Sequence, residues 1–288
     1  MKFLRLLHWS LRKLRLPIRM DDLVIEVGSG GNPHPKSHVL AEKFVDSGHR
    51  LKAIRIDRQL VLADACCMPF KDKAFDYSIA FHVLEHVPDP SAFLAEMMRI
   101  SRRGYIETPN ALYERFRPLD VHLLELMEND GELLIHKKPA AHHDILLEAG
   151  SPIERTGAWR RLFETRPELF HVCYHWNGVI RYRILNDDQS LAWHEFPKSG
   201  LRGGDPAAGS GSERGLRQAI ISAIRWYWRL VSRRQLNLDA LLCCPGCRGE
   251  LVRAGGYYRC APCAVGYHAE PYPDFTHALP LADVTGAH

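Results

Sequence analysis

The tightest constraint on this chain is Val24-Ile25-Glu26-Val27-Gly28-Ser29-Gly30-Gly31, a largely apolar run that ends in three glycines and one serine. A short run of this kind reads as a buried parallel strand. Glycines at its carboxyl end let the backbone turn tightly and approach a ligand with no Cβ in the way. In an open α/β sheet that is where nucleotides bind, so Gly28, Ser29 and Gly30 mark a candidate cofactor turn. A Gly-x-Gly alone is also an ordinary tight turn, and the residues downstream decide between the two readings.

Residues 60–90 read LVLADACCMPFKDKAFDYSIAFHVLEHVPDP. Asp64-Ala65, Met68-Pro69-Phe70, Phe75-Asp76-Tyr77, Val83-Leu84-Glu85-His86-Val87 and Asp89-Pro90 come in that order after the glycines. From Asp22 to Pro109 the chain resembles the class I S-adenosylmethionine-dependent methyltransferases of the type 11 group, with a looser likeness over residues 20–195. The resemblance implies an α/β fold: a Rossmann-like sheet with helices on both faces. It also implies S-adenosylmethionine as cofactor, held by Glu26, Gly28, Ser29, Gly30, Asp64, Ala65 and His82 with an acidic ribose partner.

The residues read the same way on their chemistry. The turn at Gly28 and Gly30 suits the methionine part of the cofactor. A carboxylate at the end of the second strand can take both ribose hydroxyls in one fork. Asp64 before a turn suits an adenine amino group, with the Ala65 amide beside it. After the glycines comes Asn32-Pro33-His34-Pro35-Lys36-Ser37, whose two prolines leave little room for a first helix. Two registers are then open. Either 38–42 is the second strand and Glu42 holds the ribose, or 53–56 is the strand and Asp57 does. Glu42 is preferred, because the second register leaves too few residues before Asp64 for a parallel crossover of about a dozen.

An activated methyl group needs an aligned nucleophile and a dry pocket. A hydroxyl acceptor also needs a base. His82, Glu85 and His86, after the fourth strand, are the candidates, with Glu107 after the fifth. His86 suits a base near neutral pH; the plainer reading is a helix-start histidine bonded locally. The Asn/Asp-Pro-Pro-Tyr signature of N-methylation is absent after the fourth strand.

Near the carboxyl end, Cys244-Pro245-Gly246-Cys247 and Cys260-Ala261-Pro262-Cys263 form two Cys-x-x-Cys knuckles around a Gly255-Gly256 turn. Four such thiolates suit a tetrahedral zinc ion. A module this small buries little core, and zinc can supply on the order of 10 kcal/mol of folding free energy. Two disulfides in a secreted domain are the competing reading, disfavoured because the start does not read as a signal peptide. With Leu238-Asp239-Ala240-Leu241-Leu242 before it and Tyr267-His268 after it, the module resembles the small zinc-ribbon activator of tRNA and translation-factor methyltransferases. That resemblance implies a structural ribbon that docks on a catalytic domain, here fused in cis.

Charge is segregated. Residues 1–20 carry six Lys or Arg and no acid, and residues 201–242 carry seven Arg against three acids, whereas the whole chain is only +4. Leu4, Leu7, Leu11 and Leu14 form one helical stripe; Leu216, Ile220, Ile224, Tyr227 and Val231 form another, with Arg225, Arg229 and Arg233 on a second face and Trp226 and Trp228 flanking it. Both helices either pack on the domain or lie on an anionic membrane. Residues 197–214, Gly/Ser/Pro-rich, read as a linker. The expected organisation is a basic amphipathic helix over 1–20, a methyltransferase domain over 21–196, the linker 197–214, a second basic helix over 215–235 and a zinc ribbon over 236–288.

The expected activity is O-methylation of a small-molecule, glycan or lipid-linked acceptor, in the cytoplasm with a peripheral contact at the inner membrane face. Nucleic acid is less favoured, since no aromatic-basic sheet motif is visible, and no obligate protein partner is evident. An RNA or translation-factor methyltransferase, or a non-catalytic methyltransferase-like scaffold, are the alternatives.

Overall fold

A computed structural model of the protein describes residues 13–45, 53–138, 152–153, 155–191, 219–220, 222–224, 226–228 and 236–282. β-branched and aromatic runs form the central strands β1 (Val24–Val27), β2 (Val39–Glu42), β3 (Gln59–Leu62), β4 (Phe75–Phe81) and β5 (Ser101–Pro109). They lie in the order β3-β2-β1-β4-β5, each parallel to its neighbour. All five carboxyl ends therefore share one edge. The strand order reverses between β1 and β4, where an open α/β sheet leaves a crevice for a ligand.

The helix start read around His86 is a short 3-10 turn, Leu84–His86, and the helix α1 (Pro90–Ile100) begins later. Proline at its first position costs no hydrogen bond, and the Asp89 carboxylate accepts from the Ala92 N–H at 2.9 Å, a cap worth about 1 kcal/mol. Its apolar face, Phe93, Leu94, Met97 and Ile100, is buried in one cluster with Ile25, Val27, Val39, Val61, Phe75 and Ile106.

A smaller cluster, Leu16, Ile18, Val24, Tyr77, Ile79, Phe81 and Tyr105, forms around the amino-terminal segment. The basic helix expected over 1–20 is not continuous: Lys13–Arg15 make one 3-10 turn and residues 16–19 are non-helical. Pro17 lacks the N–H that a helix would use. Leu16 and Ile18 are buried instead, and Lys13 Nζ sits 3.8 Å above the Phe81 ring. Residues 1–12, with Leu4, Leu7 and Leu11, lie outside the described residues. So do the linker 197–214 and Arg225, Arg229 and Arg233. The described parts of 219–228 are helical. There Trp228, not Tyr227, lies on the half-covered side with Ile220 and Ile224, under the Lys36 ammonium at 4.3 Å from its ring. Trp226 and Tyr227 are exposed.

As the prolines require, residues 28–38 connect β1 to β2 without a helix. Asn129-Asp130-Gly131 turns β6 (Leu124–Asn129) back into β7 (Glu132–Lys137), with Asp130 and Gly131 at positive φ. Asn177-Gly178 is a strong hairpin pair, yet the strands on either side of it do not pair with each other. Strand β8 (His171–Asn177) runs antiparallel to β5 at the sheet edge, while β9 (Tyr182–Ile184) joins β7 in parallel in a second, three-stranded sheet. Pairing with the apolar face of β7 wins over the local turn.

The cysteine-bearing residues fold as β10 (Val252–Ala254), β11 (Tyr257–Cys260), β12 (Val265–His268) and β13 (Asp274–Pro280), an antiparallel set. β13 also lies parallel to β3, with Asp274 opposite Leu62 and the Leu62 N–H donating to Pro273 O at 2.8 Å, so the two parts share one sheet of ten strands. The Cys243 N–H donates to Pro69 O, the Lys71 N–H donates to Leu241 O, and Arg248 donates to Met68 O and to the buried Glu96 carboxylate. The Met68-Pro69-Phe70 turn is thus the docking surface of the C-terminal module.

Candidate active site and cysteine centre

Gly28 and Gly30 both have positive φ, +68° and +55°. At Gly28 even the space is closed: a Cβ there would lie 2.3 Å from Val83 Cγ2, which brings the loop after β4 onto the glycine turn. The Gly30 N–H and the Ser29 hydroxyl both donate to Glu42 Oε1, at 2.6 and 2.8 Å. Glu42 closes β2, buried, at the same edge as the turn. Asp57, in a non-strand segment, is ion-paired with Arg55 and Arg58.

Other sequence-predicted residues take different neighbours. Glu26, buried on β1, accepts from the His34 N–H and the Ser37 hydroxyl and so props the β1–β2 connection. Burial raises its carboxyl, against those hydrogen bonds. Asp64 accepts from the Cys66 N–H and pairs with Lys43 at 2.7 Å; burial raises its carboxyl, but these contacts outweigh it and hold it below the usual range. Ala65 follows in the same turn.

Beyond β4, His82 has a positive φ of 55° and a partly exposed ring. Its Nδ1 is 3.3 Å from Glu85 Oε1 and its Nε2 is 3.7 Å from Glu107 Oε1, both carboxylates being buried. Tyr105 donates its hydroxyl to Glu107, and Thr108 donates to Glu85 Oε2. Burial pushes the Glu85 carboxyl up, yet the surrounding imidazoles bring it down to about 2. His86 turns inward: its Nδ1 donates to Val121 O at 2.9 Å, and burial lowers its basicity. Two histidines that carried no sequence signal join the group. The His171 ring lies 5.4 Å from that of His82, and the His122 ring 4.7 Å from that of His86. The arrangement sets the His82 ring between two buried carboxyl groups.

Residues 37–106 match the family model described as a methyltransferase domain. Over those residues the chain is similar to that family. The fold of the described residues is α/β and Rossmann-like. No curated protein matches the chain. Among solved structures, a Thermotoga maritima SAM-dependent methyltransferase is 22% identical over 38% of this chain, with a TM-score of 0.28; the chain spans 51% of that structure's length. A chain of the complex between the Haloferax volcanii Trm112 methyltransferase activator and its methyltransferase is 13% identical over 62% of this chain and 90% of that one, TM-score 0.38. A Pyrococcus horikoshii protein is 13% identical over 59% and 86%, TM-score 0.33.

The residues around the glycine turn fit S-adenosylmethionine, the cofactor that the resemblance implies. At Gly28 the turn leaves no room for a side chain, and the Glu42 carboxylate is fixed beside it. The four cysteines form a separate centre. Their sulfurs lie within 4.8 Å of one another, with Cys244 Sγ 3.9 Å from Cys263 Sγ and Cys247 Sγ 3.4 Å from Cys260 Sγ. Sulfurs on one tetrahedral zinc are roughly 3.8 Å apart, and a disulfide needs about 2 Å. All four are free thiols. The Gly249 N–H donates to Cys247 Sγ, the kind of backbone contact that supports a thiolate.

Proposed function

We propose that the protein transfers a methyl group from S-adenosylmethionine to a hydroxyl of a small-molecule, glycan or lipid-linked acceptor. The observation that carries this reading is the Gly28–Gly30 turn locked to Glu42 beside a histidine flanked by two buried carboxylates. S-Adenosylmethionine supplies a methyl group already activated as a sulfonium. Gly28, Ser29 and Gly30 bind its amino-acid end. Glu42 takes the ribose hydroxyls, and Asp64 with the Ala65 amide holds the adenine. His82 accepts the proton of the acceptor hydroxyl, and the Glu107 carboxylate beside Nε2 favours the imidazolium that results. Calorimetry with S-adenosylhomocysteine tests the reading: one site per chain is expected, and no binding overturns it.

The four cysteines hold one structural zinc ion, closed to substrate because all four positions are protein sulfurs. The C-terminal module extends the catalytic sheet and braces the Met68–Phe70 turn, as its resemblance to the small zinc-ribbon activator implies for a fusion in cis. The exposed Trp226 and Tyr227 support a peripheral contact of the second basic helix with an anionic membrane surface. Among the described residues no helix is long and apolar enough to cross a membrane.

A further inference from the structure

We propose that Glu85, His86 and His122 bind one divalent transition-metal ion, distinct from the cysteine centre, at the acceptor side of the active site. A carboxylate oxygen of Glu85 and one ring nitrogen of each histidine lie within 4.8 Å of one another. The hydrogen bonds fix both tautomers. His86 Nδ1 faces the Val121 carbonyl, which can only accept, and His122 Nδ1 faces the Glu114 carboxylate at 2.6 Å. Both Nδ1 atoms therefore carry the proton, and both Nε2 atoms keep a lone pair. Metal-binding histidines have this environment: the far ring nitrogen donates to a carbonyl or carboxylate that sets orientation and basicity. Glu114 is itself secured by the Lys138 ammonium at 2.6 Å and by the Leu119 N–H at 3.0 Å.

An independent sign comes from Glu85. It is buried, and its Oε1 has no aligned hydrogen-bond donor among the described residues. His82 Nδ1 is at ion-pair distance, 3.3 Å, but out of line. A buried carboxylate oxygen in that condition is costly unless something positive completes it. One carboxylate and two imidazoles suit manganese, iron, cobalt, nickel or zinc better than magnesium or calcium, which prefer all-oxygen sites. Three protein ligands leave positions open. This inference rests on the hydroxyl-transfer reading for its purpose: an ion here holds the acceptor oxygen and makes its proton easier to pass to His82. The acceptor loses that one proton and gains one methyl group.

The test is a Mn2+ titration of the full, zinc-loaded chain followed by electron paramagnetic resonance, with Co2+ absorption as a second probe. Wild type should bind one Mn2+. Glu85→Gln and His86→Gln should abolish binding, and Glu114→Gln, one step removed, should weaken it about 10- to 100-fold. Cys247→Ser should leave Mn2+ binding intact. Circular dichroism and S-adenosylhomocysteine binding are read on the same samples. Failure of wild type to bind either ion, or unchanged binding in folded Glu85→Gln and His86→Gln, overturns the inference. Mn2+ binding without cofactor binding keeps the metal site and removes the methyltransferase reading; the converse removes the metal site alone.

Discussion

The Gly30 N–H and Glu42 Oε1 are 2.6 Å apart, so the glycine turn after β1 and the last residue of β2 are held as one unit. The two are also linked through the Ser29 hydroxyl. A change at any of the three should be felt at the others.

Gly28→Ala should reduce S-adenosylhomocysteine affinity by at least an order of magnitude in calorimetry while the protein stays folded. The added Cβ meets Val83 at 2.3 Å and strains a left-handed residue, a cost of order 1–3 kcal/mol. Glu42→Ala should cost more affinity than Asp57→Ala, because the Asp57 carboxylate is already engaged by Arg55 and Arg58, whereas Glu42 is bonded directly to the turn. An equal loss in both would return the ribose assignment to the open question posed by the sequence.

Protein purified without added metal should contain one zinc per chain by elemental analysis. Cys260→Ser should lower the melting temperature of the whole chain, since β11 carries Cys260 and the module is continuous with the catalytic sheet. Metal content near zero with thiols oxidised in pairs would point to disulfides instead.

Stability should fall on acidification through His34. This residue is buried, and desolvation, helped by Lys13, Lys36 and Arg58, lowers its pKa to about 3. Its folded pKa lies below the unfolded value near 6.5, so the unfolded chain binds the extra proton between them. The contribution is complete above about pH 6.5 and is lost as pH drops toward 3, at up to about 1.4 kcal/mol per pH unit. Denaturation of wild type and His34→Gln across that window should show a shallower slope in the variant. Parallel slopes would mean His34 is not the group.

Co-sedimentation with anionic vesicles should be strong at low salt and fall as ionic strength rises, since exposed charges are screened within about 10 Å. Neutral vesicles should bind little. Neutralising Arg225, Arg229 and Arg233 together should remove the anionic preference; retention of that preference would assign it elsewhere.

What the sequence made legible is what depends on near neighbours. The glycine turn, the helix-free connection after it and the cysteine knuckles are each written within a few residues. The place of Glu42 at the end of β2 came from the length a parallel crossover needs. Long-range partners left no local trace. His122 and Glu114 come from the segment before β6 and reach His86 only through the fold; no pattern near them announces it. Tyr182–Ile184 pairs with β7 rather than β8 because a buried apolar face outweighs a favourable turn. Trp228 is drawn from a flanking position by Lys36, a cation no helical wheel can show.

Pairing Leu62 with Asp274 has a consequence for synthesis. The edge of β3 away from β2 stays unsatisfied until more than two hundred further residues have left the ribosome, roughly 10–40 s at ordinary elongation rates. During that interval an apolar parallel sheet presents an open hydrogen-bonding edge, the feature that invites pairing with other nascent chains. Mesh between catalytic half and cysteine module is therefore also a timing problem, and expression yield should track how quickly the last strand arrives.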